Sequence, residues 1–293
     1  MAEGIALLRC DDLRLLTLTG LGGVGKTRLA IDLAHALETA YTHGATFVSL
    51  AALSNPELLP DTLLHTLGLQ ESSGRPSLES VKLALGAQQR LLVLDNFEQI
   101  LPAAATVVDL LESCPQLTVL VTSRAPLHVR GEHLVIVPPL ELDDAVVLFT
   151  ERARALQANL VLTPADEAVV VDICRRLDGL PLAIELAAAR GQELTPTALL
   201  AHLDRRLGLL TRGPRDLPSR QRTLRTTLEW SHELLPPGAQ RLFRRLAVFR
   251  GGFTLAAAGA VDQCPGTEEV LALLGELVDY SLVQRRGERF AML

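Results

Sequence analysis

The sequence predicts an α/β chain: a parallel sheet with helices on both faces, then a small helical domain and a winged-helix domain. Three observations carry this. Apolar runs of about five residues alternate with segments at helical spacing through the first half, the pattern of a parallel sheet covered on both sides. One junction, Thr19 to Arg28, reads Thr-Gly-Leu-Gly-Gly-Val-Gly-Lys-Thr-Arg and contains the phosphate-binding pattern G-x-x-x-x-G-K-[ST]. Beyond residue 141 the strands give way to helices, and the chain closes on a stretch that alternates about a Gly-Glu turn.

Leu13 to Leu18 is a short apolar run that reads as a buried strand. The loop after it leads into a helix carrying Leu29, Ala30, Leu33, Ala34, Leu37 and Tyr41. Gly20, Gly22, Gly23, Val24 and Gly25 let backbone N–H groups converge on a phosphate chain, and the helix N-terminus, with Arg28 in its first turn, adds its positive end. Lys26 would reach the outer phosphates, and the Thr27 hydroxyl would complete a Mg²⁺ shell. The bland alternative is a glycine-rich turn with a chance Lys-Thr. Strand, loop and helix in the required order favour the phosphate loop.

Ala45 to Leu50 is the second strand, Asn55-Pro56 open a helix that Gly68 closes, and Ser77 reads as the cap of another running towards Gln89. Leu91 to Leu94 end in Asp95, placing a carboxylate at the sheet edge where ligands bind. With Thr27 it would hold the metal. The next residue, Asn96, cannot accept a proton, so hydrolysis would be slow unless Glu98 serves as base. Glu98 has a second reading, as a solvated acid in the first turn of the following helix. Leu117 to Val121 is a fourth strand ending in Thr122-Ser123-Arg124. An arginine at that tip can sense a γ-phosphate; otherwise it is a surface arginine starting a loop. His133 to Val137 is the fifth strand, stopped by Pro138-Pro139.

Residues 1–140 thus form a nucleotide-binding domain. Asp143 to Leu156 is an amphipathic helix, and three further helices start at Thr163-Pro164, Leu180-Pro181 and Thr195-Pro196, giving a helical domain over 141–210. Thr211 to Ser219 has the composition of a linker, taken as 211–220. From 221 to 293, helices at Leu224 to His232, Pro237 to Phe249, after Thr254 and Thr267 to Tyr280 precede the final hairpin, the order of a winged helix.

The 293 residues can bury a substantial core, and no run is apolar or long enough to span a bilayer. The N-terminus lacks the basic and apolar regions of a secretory signal. Cys10, Cys114, Cys174 and Cys264 are scattered without a C-x-x-C pair and read as buried thiols of a cytoplasmic protein. Lysine occurs only at positions 26 and 82, with arginine and alanine favoured as in high-GC bacterial genomes. The net charge of −6 argues against a general nucleic-acid coat. Locally, eleven arginines between Arg205 and Arg250 face only Asp216, Glu229 and Glu233, a band of about +8 that could face the nucleotide, a linker or a neighbouring subunit. The would-be recognition helix, Thr267 to Tyr280, carries Glu268, Glu269, Glu276 and Asp279 and no basic residue, which argues against direct DNA binding by this chain.

These residues resemble the STAND class of signalling P-loop ATPases related to the NB-ARC domain, above all bacterial members in antibiotic-production regulators and large LuxR-type activators. The resemblance is carried by Thr19–Ala30, Leu91–Gln99, Val119–Arg124, Gly179–Ala183 and Leu224–Phe253, in family order across nearly the whole chain. It implies three domains that clamp ADP or ATP, with Pro181 near the adenine and Arg124 as the γ-phosphate sensor. Two departures stand out. No Gly-Arg-Glu element precedes the first strand, and the hairpin reaches Met292-Leu293 where a motif similar to Met-His-Asp would begin. The wing's ADP contact is therefore expected to be missing or truncated, and the chain to be a core module, cut from a longer protein or minimal by evolution.

The expected function is an ATP/ADP-dependent signalling switch with Mg²⁺ and slow hydrolysis. Lys26, Asp95, Glu98 and Arg124 would carry its chemistry. Its expected partners are nucleotide, further copies of itself in the ATP state, and sensor or effector domains of a longer protein, with no membrane. The alternatives are an ordinary P-loop ATPase or kinase, for which no second-substrate pocket is legible, and a DNA-binding regulator using its own winged helix. A GTPase is disfavoured because no Asn-Lys-x-Asp stretch occurs.

Overall fold

The computed structural model describes residues 1–10, 12–70, 74–157, 163–203, 229, 232–262 and 266–292. The chain divides into two compact units, Met1–Gly20 with Lys26–Val137, and Leu21–Gly25 with Pro138–Leu293.

The first unit is built on five parallel strands in the order β2-β3-β4-β1-β5: β1 Leu15–Thr19, β2 Ala45–Ser49, β3 Arg90–Asp95, β4 Leu117–Thr122 and β5 Glu132–Ile136. The central strands are mostly apolar because both faces are covered, and their successive residues feed opposite cores. Leu15, Leu92, Leu94, Val119 and Val121 enter one core, with Leu59 and Leu63 of α3 (Leu59–Thr66), Val81 of α4 (Ser77–Leu85) and Val107 and Leu110 of α5 (Ala104–Ser113). Leu16, Leu18, Leu91, Val93 and Leu120 enter the other, with Ala30, Leu33 and Leu37 of α2 (Lys26–Leu37).

The edge strand β5 makes its parallel pairing to β1 alone among the described strands, and it leaves Leu134 and Ile136 exposed. A short helix, α1 (Ala2–Leu8), lies against α2, where Gly4 meets Leu33; its seven residues precede any periodicity that could have announced it. Ser77 does not cap α4 but is its first residue, with Pro76 at the cap and no side-chain bond there. Lys82 on α4 pairs with Glu79 at 3.0 Å and Asp109 at 2.8 Å.

In the second unit, α6 (Leu142–Leu156), α7 (Pro164–Arg176), α8 (Pro181–Ala189) and α9 (Pro196–Leu203) enclose a core of Phe149, Ile173, Cys174, Ile184, Leu186 and Leu199. The expected start of α7 forms a complete capping box, Thr163 and Asp166 each bonding the other's backbone N–H. Gly179, with φ +66°, is required because a Cβ would lie 2.2 Å from the Leu140 carbonyl oxygen.

A separate core gathers around α10 (Pro237–Leu246), α11 (Leu255–Asp262) and α12 (Thr267–Asp279). It includes an antiparallel sheet ordered β6 (Phe253–Thr254), β8 (Arg289–Met292) and β7 (Val283–Arg286). The terminal hairpin is as expected, and β6, only two residues long, adds a strand that alternation could not announce. Phe253 stacks between Phe249 and Phe290, with ring centroids 5.3 and 5.9 Å away.

Within the arginine band, Arg241 and Arg245 clamp the carboxylate of Asp262 at 3.2 and 3.0 Å, and the Asp262 side chain is wholly buried; the seven arginines from Arg205 to Arg225 lie outside the described residues. One expectation is corrected. Cys10 is exposed, whereas Cys114 and Cys174 are buried as expected. The 211–220 linker, most of the helix expected from Leu224 and Cys264 lie outside the described residues. Among the described residues, no helix is long and apolar enough to cross a membrane, and no three His, Cys, Asp or Glu side chains cluster as metal ligands.

Candidate functional site

The strand register brings the ends of β1, β3 and β4 to one level. Leu18 lies beside Thr122, and Leu94 lies beside Val121, so Asp95 and Thr122 emerge together at the C-terminal edge. The phosphate loop leaves β1 at the same edge. Its backbone takes the left-handed or otherwise glycine-favouring conformations at Gly20 (φ 143°), Gly23 (81°) and Gly25 (101°). Val24 is buried, Gly22 is partly exposed, and Arg28 points to solvent. Pro181 is the first residue of α8, and the next N–H, that of Leu182, donates to the Gly23 carbonyl at 3.1 Å, satisfying a group that the helix start leaves unpaired.

Lys26 is buried, and its Nζ donates to the Gly20 carbonyl at 2.8 Å. Burial pulls its pKa down from 10.5 to about 8, the Glu98 carboxylate opposing that shift, Arg124 adding to it and Asp95 opposing it. All four charged groups are therefore buried and close enough to act on one another. Formally they cancel, two cations against two carboxylates.

Thr27 donates its hydroxyl to Asp95 Oδ1 at 2.6 Å, and Thr122 donates to the same oxygen at 2.6 Å. The Thr122 oxygen in turn accepts the Asn96 N–H at 3.0 Å. That bond supports an uncommon backbone, since Asn96 has φ 65°. The left-handed residue turns the chain sharply out of β3 into a 3₁₀ turn, Phe97–Gln99, anchored by the fully buried Phe97.

The turn delivers Glu98 inward. Its side chain is 2 % exposed, its Oε1 lies 3.4 Å from Arg124 Nε, and the Arg124 side chain is 5 % exposed. The Asn96 amide reaches the same Oε1 at 3.5 Å. Glu98 Oε2 is buried and accepts no hydrogen bond from the described residues. The reading of Glu98 as a solvated acid of a helix's first turn is thus overturned, as is that of Arg124 as a surface arginine. Thr122 is the residue that sequence reasoning passed over. Its signal was a polar residue in the last position of an apolar strand, level with Asp95 on the neighbouring one.

The Thr27 hydroxyl and the Asp95 carboxylate form a hard-oxygen donor pair that suits Mg²⁺ completed by water, and the glycine-bent loop followed by a buried lysine suits a phosphate chain.

No family model matches the chain. It is 46 % identical over 274 residues to a Mycobacterium tuberculosis protein whose name assigns it provisionally to the HTH-type transcriptional regulators, covering 92 % of this chain and 31 % of that one. A second, uncharacterized M. tuberculosis protein is 41 % identical over 285 residues, covering 95 % of this chain and 72 % of the relative. The regulatory protein AfsR of Streptomyces coelicolor is 31 % identical over 283 residues, 91 % of this chain and 27 % of AfsR. The chain therefore spans about a third or less of the length of the regulators it matches. Among solved structures, the fold is similar to that of the ORC2 protein of Aeropyrum pernix, with a TM-score of 0.58 at 15 % identity over 99 % of this chain and 89 % of that one. The chain thus belongs to one family with the second M. tuberculosis protein, carries the phosphate loop and parallel sheet of a P-loop NTPase, and is similar to a part of regulators such as AfsR.

Proposed function

We propose that this chain is the core of an ATP/ADP-dependent switch that binds Mg-ATP, hydrolyses it slowly and couples the bound nucleotide to domain rearrangement and self-association. The observation that carries this reading is the gathering of Lys26, Thr27, Asp95 and Arg124 at one sheet edge beside the glycine-bent loop. Bound there, Mg-ATP supplies a transferable γ-phosphoryl group and the charge that the two cations answer. Lys26 holds phosphate oxygens from the loop side. Thr27 and Asp95 hold the metal, Asp95 being oriented by Thr122. Arg124 answers the terminal phosphate, and Pro181 packs near the base. Glu98 accepts the proton of the attacking water at Oε2.

One feature supports slow turnover: Asn96, next to Asp95, cannot act as a base. A switch needs slow chemistry, because each nucleotide state must last long enough to be read. The HTH-type names among the relatives support a role in transcriptional regulation, and the similar A. pernix structure was determined as ADPNP and ADP complexes. The shares of those regulators left uncovered support sensor or effector domains as partners in a longer cytoplasmic protein. The acidic face of α12 speaks against DNA contact by this chain itself. In this reading the nucleotide-binding, helical and winged-helix domains meet near residues 140 and 210–221.

The test is to denature the purified protein, identify the released nucleotide by chromatography and follow steady-state hydrolysis. Bound ADP with turnover well below about one per second is the expected result. Absence of adenine nucleotide binding, or turnover in the ordinary enzyme range, would overturn the switch.

A further inference from the structure

Glu98 is more than a candidate base. Its two oxygens sit in different situations: Oε1 faces Arg124 Nε at 3.4 Å, while Oε2 is buried and accepts nothing from the described residues. A carboxylate so withdrawn from water draws on the guanidinium, beside the Asn96 amide and the Lys26 ammonium. The Arg124 side chain is itself 5 % exposed. We propose that Glu98 sets the preference of this site between nucleoside di- and triphosphate, by competing with the terminal phosphate for Arg124. The proposal rests on the switch reading above, which gives Arg124 to that phosphate.

Lys26, at the start of α2, reaches the outer phosphates, of which the diphosphate keeps one. Arg124, at the end of β4, serves only the additional one. The four side chains already balance, so a terminal phosphate brings an extra anion to a guanidinium that a carboxylate holds. Two anions of like sign then share one cation in a volume that water does not screen. The triphosphate must loosen the Glu98–Arg124 pair, and the diphosphate need not. Glu98 thereby lowers triphosphate affinity more than diphosphate affinity. Glu98 and Arg124 are far apart along the chain and meet through the Asn96 turn, so no local pattern announces the pair.

The test is calorimetric binding of Mg-ADP and of a non-hydrolysable Mg-ATP analogue to the full chain. Glu98→Gln keeps the shape and removes the charge. It is expected to tighten analogue binding about tenfold, equivalent to ~1.4 kcal/mol, and to leave ADP binding within about twofold. Glu98→Met removes the charge with an apolar side chain and should move the ratio in the same direction, which guards against an effect peculiar to glutamine. In an Arg124→Ala background Glu98→Gln should have no further effect on the ratio, because the competition has lost its object. A Glu98→Gln protein that folds, binds both nucleotides and shifts them equally, or binds the analogue more weakly, overturns the inference while the switch reading stands. A wild-type chain that binds neither nucleotide overturns both.

Discussion

The side chain of Leu182 occupies the space beside Gly23 in which any other residue would place its Cβ: an added Cβ would sit 2.7 Å from the leucine Cβ and 2.9 Å from its Cδ2. Gly23 also has φ 81°, so two separate causes require glycine at this point of the phosphate loop. Gly23→Ala should lose about 2–4 kcal/mol, read as a lower urea midpoint. Adding Leu182→Ala should restore part of the loss by clearing the contact, leaving the backbone strain. An unchanged midpoint for Gly23→Ala would contradict the close approach.

Arg124→Ala should keep ADP affinity within about twofold and abolish ATP-dependent self-association, measured by size-exclusion chromatography with light scattering. Equal loss of both nucleotides would mean that the arginine supports the site as a whole rather than distinguishing its states.

Thr122→Val removes a donor to Asp95 and leaves the Asn96 N–H without its acceptor. The expected cost is about 1–3 kcal/mol of stability, together with weaker Mg²⁺-dependent nucleotide binding. Thr122→Ser keeps the hydroxyl and should recover most of both. Loss in the serine variant equal to that in valine would place the effect in the methyl group's packing instead.

Asp262→Asn leaves Arg241 and Arg245 converging on an uncharged side chain in a wholly buried position. Because both arginines are more than a third exposed, solvent screens part of the loss, and the expected cost is about 1–3 kcal/mol by urea denaturation. Nucleotide affinity should not change.

Brief alkylation at pH 8 should modify Cys10 well ahead of Cys114 and Cys174, with the sites read by peptide mass spectrometry. Burial raises the Cys174 thiol to about 11 from 9. Above pH 9 the unfolded chain gives up this proton while the folded chain keeps it, so this group's contribution to stability falls as pH rises from about 9 to 11. A folded protein in which Cys174 reacts as fast as Cys10 would refute the burial.

The sheet was legible because β1, β3 and β4 are apolar runs ending at a turn or a polar residue, and the local pattern alone places such segments. Lys26, Thr27 and Asp95 were legible for a related reason: loop chemistry and strand ends fix where those side chains emerge. Glu98 was ambiguous because the features that decide it are not local. Whether an acid after a strand is solvated or buried depends on the Asn96 backbone, on Phe97 entering the core and on a cation from the adjacent strand. For the arginine band, summed charge says nothing of pairing: Asp262, outside the band, neutralises part of it.

The scarcity of lysine has a practical side. The two ε-amines of the sequence are Lys26, buried against the Gly20 carbonyl, and Lys82, held between two carboxylates. An acylating reagent therefore meets few competing amines on this chain besides the exposed α-amine of Met1. An acyl-phosphate nucleotide that docks in the loop would leave its mark on Lys26 alone, so that occupancy of the site could be counted in a crude extract, one labelled peptide per molecule.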